Sequence, residues 1–229
     1  LVSLRYEDAG MSAGISAGIK TCDAAEDLAA INKPDMELVI WQRALPLCLT
    51  TWLDQLDASR LPDMRVLVQP SELRRAVEPL LDDSGLPAGD FRDLLLGDIN
   101  NLVSAFAGIT GTDLVDVRLE RLSHDACWKF HRDSVEARLL TTYRGSATDW
   151  VKPRHATQAL REQKSYAGPL ERLRVHDVAI FKGSSAGPGN GIVHRSPPIA
   201  GTGQTRLLLV LNKPLLSSPK RWDSLTNCA

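Results

Sequence analysis

Cysteine is scarce in this sequence and never paired. The 229 residues hold four, Cys22, Cys48, Cys127 and Cys228, with no C-x-x-C among them. That argues against a thiolate zinc ribbon and a thioredoxin-like redox motif. Their scatter fits reduced thiols better than a disulfide scaffold. Long apolar runs are missing too, and nothing approaches the ~20 residues that span a bilayer. The segment GMSAGISAGI, 10 to 19, lacks a basic flank and a strongly apolar stretch, so it reads as a loose N-terminal segment and not a signal peptide. These features predict a cytoplasmic location with no membrane partner. A formal net charge of -1 gives no global field toward nucleic acid or anionic lipid. No basic run carries interleaved aromatics, so no nucleic-acid surface is expected. Internal repeats and long linkers are also lacking.

What remains is an ordinary globular composition, 43% hydrophobic and 24% charged, long enough for one large domain or two small ones. The first half, 1 to 112, reads as mainly helical. Helices are expected at 23–31 with Asp23 as a possible cap, at 45–56 with Pro46 in the first turn, and at 70–83 with Pro79 as a potential kink. The strongest is FRDLLLGDINNLVSAFAGITG, 91–111, ending at Gly108 or Gly111. Short strands are expected at 37–42 and 64–69. From about residue 113 the pattern alternates. DLVDVRLERL, WKF, EARLLTTY, VHDVAIFKG and TRLLLVLN read as short strands between segments rich in Gly, Pro and Ser, with one helix near 155–163. That spacing predicts an antiparallel sandwich or barrel. The expected fold is α+β, a helical half packed on a β half over 113–229, together one composite domain.

Two stretches carry candidate chemistry. CWKFHRD places His131 and Asp133 two residues apart, and such a triplet alone is weak. The later GIVHRS delivers His194 after a Gly-rich turn, and a strong strand then begins at Arg206. In a double-stranded β-helix, paired strands can bring these positions to one open end. Two imidazoles and one carboxylate then cap one face of a metal and leave about three positions open, which is the facial arrangement of non-haem Fe(II) oxygenases. Arg206 heads an otherwise apolar strand, RLLLVL. A guanidinium turned into a barrel needs an anionic partner, and a dicarboxylate would supply one bidentately.

H-x-D, a distal His and an Arg twelve residues on resemble the Fe(II)/2-oxoglutarate-dependent dioxygenase superfamily, whose fold is the double-stranded β-helix (jelly-roll, cupin-like). DVAIF and HRSPPIAGTGQTR resemble its strand before the distal His and its His-to-Arg connection. The likeness covers about residues 115 to 212. ACWKFHRD and TTYRG, with the helical first half, also resemble the bacterial domain-of-unknown-function family 1826. The superfamily resemblance implies Fe(II) on His131, Asp133 and His194, 2-oxoglutarate anchored by Arg206, and help from Tyr143 or Thr141. It implies oxidation of a substrate with succinate and CO2 as coproducts. The substrate is open between a small molecule, a peptide and a protein, and so is the oligomeric state. An alternative uses the same ligands in a non-catalytic, cupin-like metal-binding protein linked to zinc homeostasis, in line with the genes near which the second family is often found. Other candidates have plainer readings. Lys129 and Arg138 read as a solvated strand face, His124–Asp125 as a turn, His176 as structural and His155 as exposed. Cys127 and Trp128 read as sheet core, and GSSAGPGNG, 183–191, as a pocket lip.

Overall fold

The computed structural model describes residues 15–16, 18–187 and 191–223. Most of GMSAGISAGI, part of the 183–191 loop and Cys228 therefore lie outside the described residues. Strands β1 (Ile15–Ser16), β2 (Ile19–Cys22) and β3 (Leu38–Trp41) come first, with a 3-10 helix, Ala25–Asn32, between β2 and β3. Then follow α1 (Leu47–Gln55), β4 (Met64–Val68), α2 (Leu73–Asp83) and α3 (Asp90–Thr110). The second half contributes β5 (Val115–Leu122), β6 (Ala137–Arg144), β7 (Asp149–Trp150), α4 (Ala156–Glu162), β8 (Glu171–Arg172), β9 (Val178–Lys182), β10 (His194–Arg195) and β11 (Arg206–Asn212).

The strands form two sheets. The large one runs β1-β2-β3-β9-β6-β11-β5-β4, and the small one β10-β7-β8. An isolated bridge between His131 and His194 extends the small sheet by one more position. From residue 115 onward the chain thus visits large sheet, small sheet (His131), large (β6), small (β7, β8), large (β9), small (β10) and large (β11). This alternation stacks the two sheets face to face.

Side-chain alternation gives the large sheet two apolar faces. Val115, Val117 and Leu119 of β5, Leu139 and Tyr143 of β6, and Leu207, Leu209 and Leu211 of β11 join α1, α2 and α3 in one core. The other set, Leu140, Ala179, Phe181, Leu208 and Val210, packs with Trp150, Leu173 and Ile192 between the sheets. Every residue of β11 is buried, which explains why RLLLVL reads as a continuous apolar run.

Several expectations hold and some are corrected. α3 ends where Gly111 takes a left-handed conformation, φ 62°, and donates its N–H to Ala107 O. Pro79 lies inside α2, and Pro46 caps α1. The helix expected at 23–31 is a 3-10 helix with Ala24, not Asp23, at its cap and no side-chain cap bond. WKF forms no strand and follows a turn at Ala126–Cys127. The first 112 residues are less helical than expected, because β1 to β4 come from them and pair into the large sheet with β5 and β9.

Candidate metal centre

The His131–His194 bridge builds the site. Each residue's N–H donates to the other's carbonyl, at 3.0 and 3.1 Å, which brings the imidazole centroids to 4.6 Å. His131 Nδ1 lies 2.8 Å from Lys129 O, and His194 Nδ1 3.1 Å from Ile192 O. A carbonyl can only accept, so Nδ1 carries a proton in both rings, which leaves Nε2 as the nitrogen turned toward the site. Both Nε2 atoms face Asp133. His131 Nε2 is 3.4 Å from Oδ1, and His194 Nε2 3.3 Å from Oδ2. All three ligand atoms lie within 4.8 Å of one another. Phe181 packs against the His194 ring with centroids 4.8 Å apart.

Asp133 is held by its own backbone. Its carbonyl accepts from Ser184 N (2.8 Å) and Ser184 Oγ (3.1 Å). This approach depends on Gly183: a Cβ there would sit 2.5 Å from Asp133 O and 2.3 Å from Val135 O. Burial raises the Asp133 pKa, but His131, His194 and Arg138 outweigh it and hold the carboxyl well below the usual range. The Asp133 carboxylate in turn raises the pKa of His131. Arg138 Nη1 lies 2.7 Å from Asp133 Oδ2, near enough for an ion pair, yet Oδ2 is buried without an aligned hydrogen bond. The expected solvated role of Arg138 is thereby corrected. It points between the sheets, with Nε on Asn212 Oδ1 at 2.8 Å.

A cavity of about 330 Å³ opens from His131 and His194, walled by Leu140, Leu208 and Val210 and continuing to Thr148 and Ser196. Arg206 lies behind that end, against Ser196 and Thr148. It is 1% exposed, and Nη1 donates to Ser196 Oγ at 2.8 Å. Nη2 reaches Thr148 Oγ1 only at 3.5 Å, and among the described residues Nε has no hydrogen-bond partner. Burial lowers its pKa to about 10, as fits a guanidinium with no carboxylate in contact.

Tyr143 and Thr141 stand elsewhere. Odd positions of β6 face the helices: Tyr143 donates from its hydroxyl to Asp98 Oδ2 at 2.5 Å, and Thr141 Oγ1 to His176 O at 3.3 Å. Asp98 is also clamped by Arg43, and the network is part of the helix-side packing. Their expected contact with a cosubstrate is corrected by this alternation; Thr142 takes the opposite face, with its hydroxyl buried and, among the described residues, unpartnered. Cys127 is no sheet-core residue either: it is exposed, with φ 50°, and lines the cavity near His124. Arg118, Glu120, Thr148 and Ser196 line the cavity without having been expected there. Ser196 was within reach of pattern reading, two residues after His194.

Two stacked sheets, a cavity between them and a converged His-Asp-His cluster define the class: an α+β protein with a candidate metal centre in a strand-walled pocket. The chain belongs to the family described as "Protein of unknown function (DUF1826)", which matches residues 22–212. No curated protein matches it. Among solved structures it is similar to a rice dioxygenase for auxin oxidation, with 12% identity, TM-score 0.48, and coverage of 86% of this chain and 82% of that one. It is also similar to the Arabidopsis thaliana dioxygenase for auxin oxidation 1 in a 2-oxoglutarate complex (11%, 0.48, 88% and 93%). A Pseudomonas putida prolyl-4-hydroxylase is more distant (13%, 0.40, 82% and 100%). Similarity at this level bears on neither reaction nor substrate. Among the described residues no helix is long and apolar enough to cross a membrane.

Proposed function

We propose that this chain is a non-haem Fe(II)- and 2-oxoglutarate-dependent dioxygenase built on a double-stranded β-helix. One observation carries the reading. His131 and His194 of a converged His-Asp-His set line one cavity with Ser196 and Thr148, the two hydroxyls against which a buried guanidinium lies with its Nε unpartnered among the described residues. The donor set fits the ion: two imidazoles that present Nε2 and one carboxylate leave room for a chelating cosubstrate. His131, Asp133 and His194 would hold the metal, and the carbonyls of Lys129 and Ile192 fix the ring orientations. Iron, 2-oxoglutarate and O2, when bound, would supply the oxidising chemistry, with succinate and CO2 as coproducts. Arg206 would orient the distal carboxylate of 2-oxoglutarate, with the Ser196 and Thr148 hydroxyls beside it. Leu140, Leu208 and Val210 keep water off the wall between those two ends.

The test is succinate formation from 2-oxoglutarate with Fe(II) and O2, with and without candidate substrates. Asp133→Ala is expected to abolish it together with metal binding, and Arg206→Ala to abolish it while metal binding remains. The same donors suit zinc, so tight zinc binding with no response to 2-oxoglutarate would favour a non-catalytic, cupin-like role in zinc homeostasis.

A further inference from the structure

We propose that Arg118 and Glu120 recognise the molecule to be oxidised, and that it is a small zwitterion with carboxylate and ammonium on neighbouring carbons, as in a free α-amino acid. The proposal rests on the oxygenase reading.

Strand alternation places both side chains on the cavity side of β5, opposite the Val115, Val117 and Leu119 face that packs on the helices. Across the sheet, Glu120 stands opposite Leu208 and Arg118 opposite Val210. One step past Glu120 comes the Leu122–Arg206 pair, and one step past Arg118 comes Asp116–Asn212, the end where Arg138 holds Asp133. The pair therefore spans the wall between the Arg206 end and the His-Asp-His end.

Of the other inward charges, Arg206 is assigned to 2-oxoglutarate above, and the rest are held within the protein. Arg138 serves Asp133 and Asn212, and Asp116 is held by Arg65 and Ser218. Arg118 donates to Glu120 Oε1, and among the described residues neither has another side-chain hydrogen bond. Aliphatic side chains line the adjacent strand at the same level, and a half-buried ion pair is commonly no more stabilising than apolar residues of similar size. With 34% and 21% of their side chains accessible, both heads remain reachable from the cavity.

Their contact sets the ligand chemistry. An inserting monoanion would leave Glu120 unpaired, and a cation would strand Arg118; either outcome is costly in a part-buried site. A ligand offering a carboxylate to Arg118 and an ammonium to Glu120 replaces one ion pair with two. Because the two heads touch, its charges must lie close together. A cavity of about 330 Å³ is at the small end for ligand pockets. Shared with 2-oxoglutarate, it suits a small molecule better than a polypeptide segment.

The experiment uses the full chain, anaerobically loaded with Fe(II) and 2-oxoglutarate, and follows the visible band of that complex. The probes are the twenty protein amino acids with their N-acetyl and amide derivatives. At least one free amino acid should shift the band, and its two derivatives should bind roughly 10-fold weaker or worse, the loss expected for a charge-assisted contact. Arg118→Gln and Glu120→Gln should each weaken that amino acid by a similar factor and leave the affinity for 2-oxoglutarate unchanged. If the band forms and no free amino acid moves it, or both variants bind the amino acid as tightly as wild type, the proposal is overturned alone. If no band forms, the oxygenase reading fails and this proposal with it.

Discussion

Replacing Arg206 with Met should move stability and ligand affinity in opposite directions. Arg206 is 1% exposed, and among the described residues its Nε has no partner. An unsatisfied buried donor costs about 1–3 kcal/mol, and more when charged. Ser196 and Thr148 are neutral and return only part of that. Met fills much of the same volume without a polar head, so the ligand-free variant should gain about 1–2 kcal/mol after allowance for imperfect packing. For a chain of this size that is roughly 2–8 °C in Tm. Binding should respond the other way. Two charge-assisted hydrogen bonds to a carboxylate are lost, which corresponds to about 100-fold or more in 2-oxoglutarate affinity. Iron affinity should stay as it was, because Arg206 does not touch the His-Asp-His cluster. Thermal scans of the ligand-free proteins and anaerobic titrations give both numbers. A variant that melts lower and binds 2-oxoglutarate as wild type does would refute the reasoning, since Arg206 would then be a structural residue with an unrecognised partner.

Three further outcomes are expected. Gly183→Ala should force the Asp133 loop away, because its Cβ would lie 2.3 Å from Val135 O, and metal titration should show at least about a 10-fold loss, as for other disrupted outer-shell contacts. Tyr143→Phe should cost about 1–2 kcal/mol in denaturant unfolding through its lost bond to Asp98, with 2-oxoglutarate affinity unchanged; a changed affinity would return Tyr143 to the pocket. Burial lowers the pKa of His176 below its ordinary 6.5, so the unfolded chain takes up a proton first as pH falls. That contribution to stability is complete above pH 6.5 and is lost below it. His176→Gly removes this contribution and relieves a φ of 76°, so its stability between pH 7 and 5 should fall less steeply than that of wild type.

The convergence of His131, Asp133 and His194 was legible because H-x-D is a local signal and a later His follows on an alternating strand. H-x-D and a later His on alternating strands can meet only if the strands pair, and the backbone bridge between His131 and His194 is that pairing. Arg206 was legible as a charge at the head of an apolar strand. Tyr143 and Thr141 were misplaced because a strand period of two says which residues share a face and not which face looks inward. That choice is made by α1 and α3 packing on the Leu139–Tyr143 side. Arg138 was misread for the same reason. β7 and β8 are two residues each, too short for any periodicity to register. β1 and β2 drew no strand expectation, because their residues fall in a stretch of small and mixed side chains ahead of the first clear pattern.

The most direct test of the central claim is an anaerobic titration of the metal-free protein, first with Fe(II) and then with 2-oxoglutarate, followed by visible absorption. The account predicts a weak charge-transfer band that needs both additions, is absent in Asp133→Ala, and requires far more 2-oxoglutarate in Arg206→Met. Iron bound without the band, or a preference for zinc with 2-oxoglutarate having no effect, would contradict it.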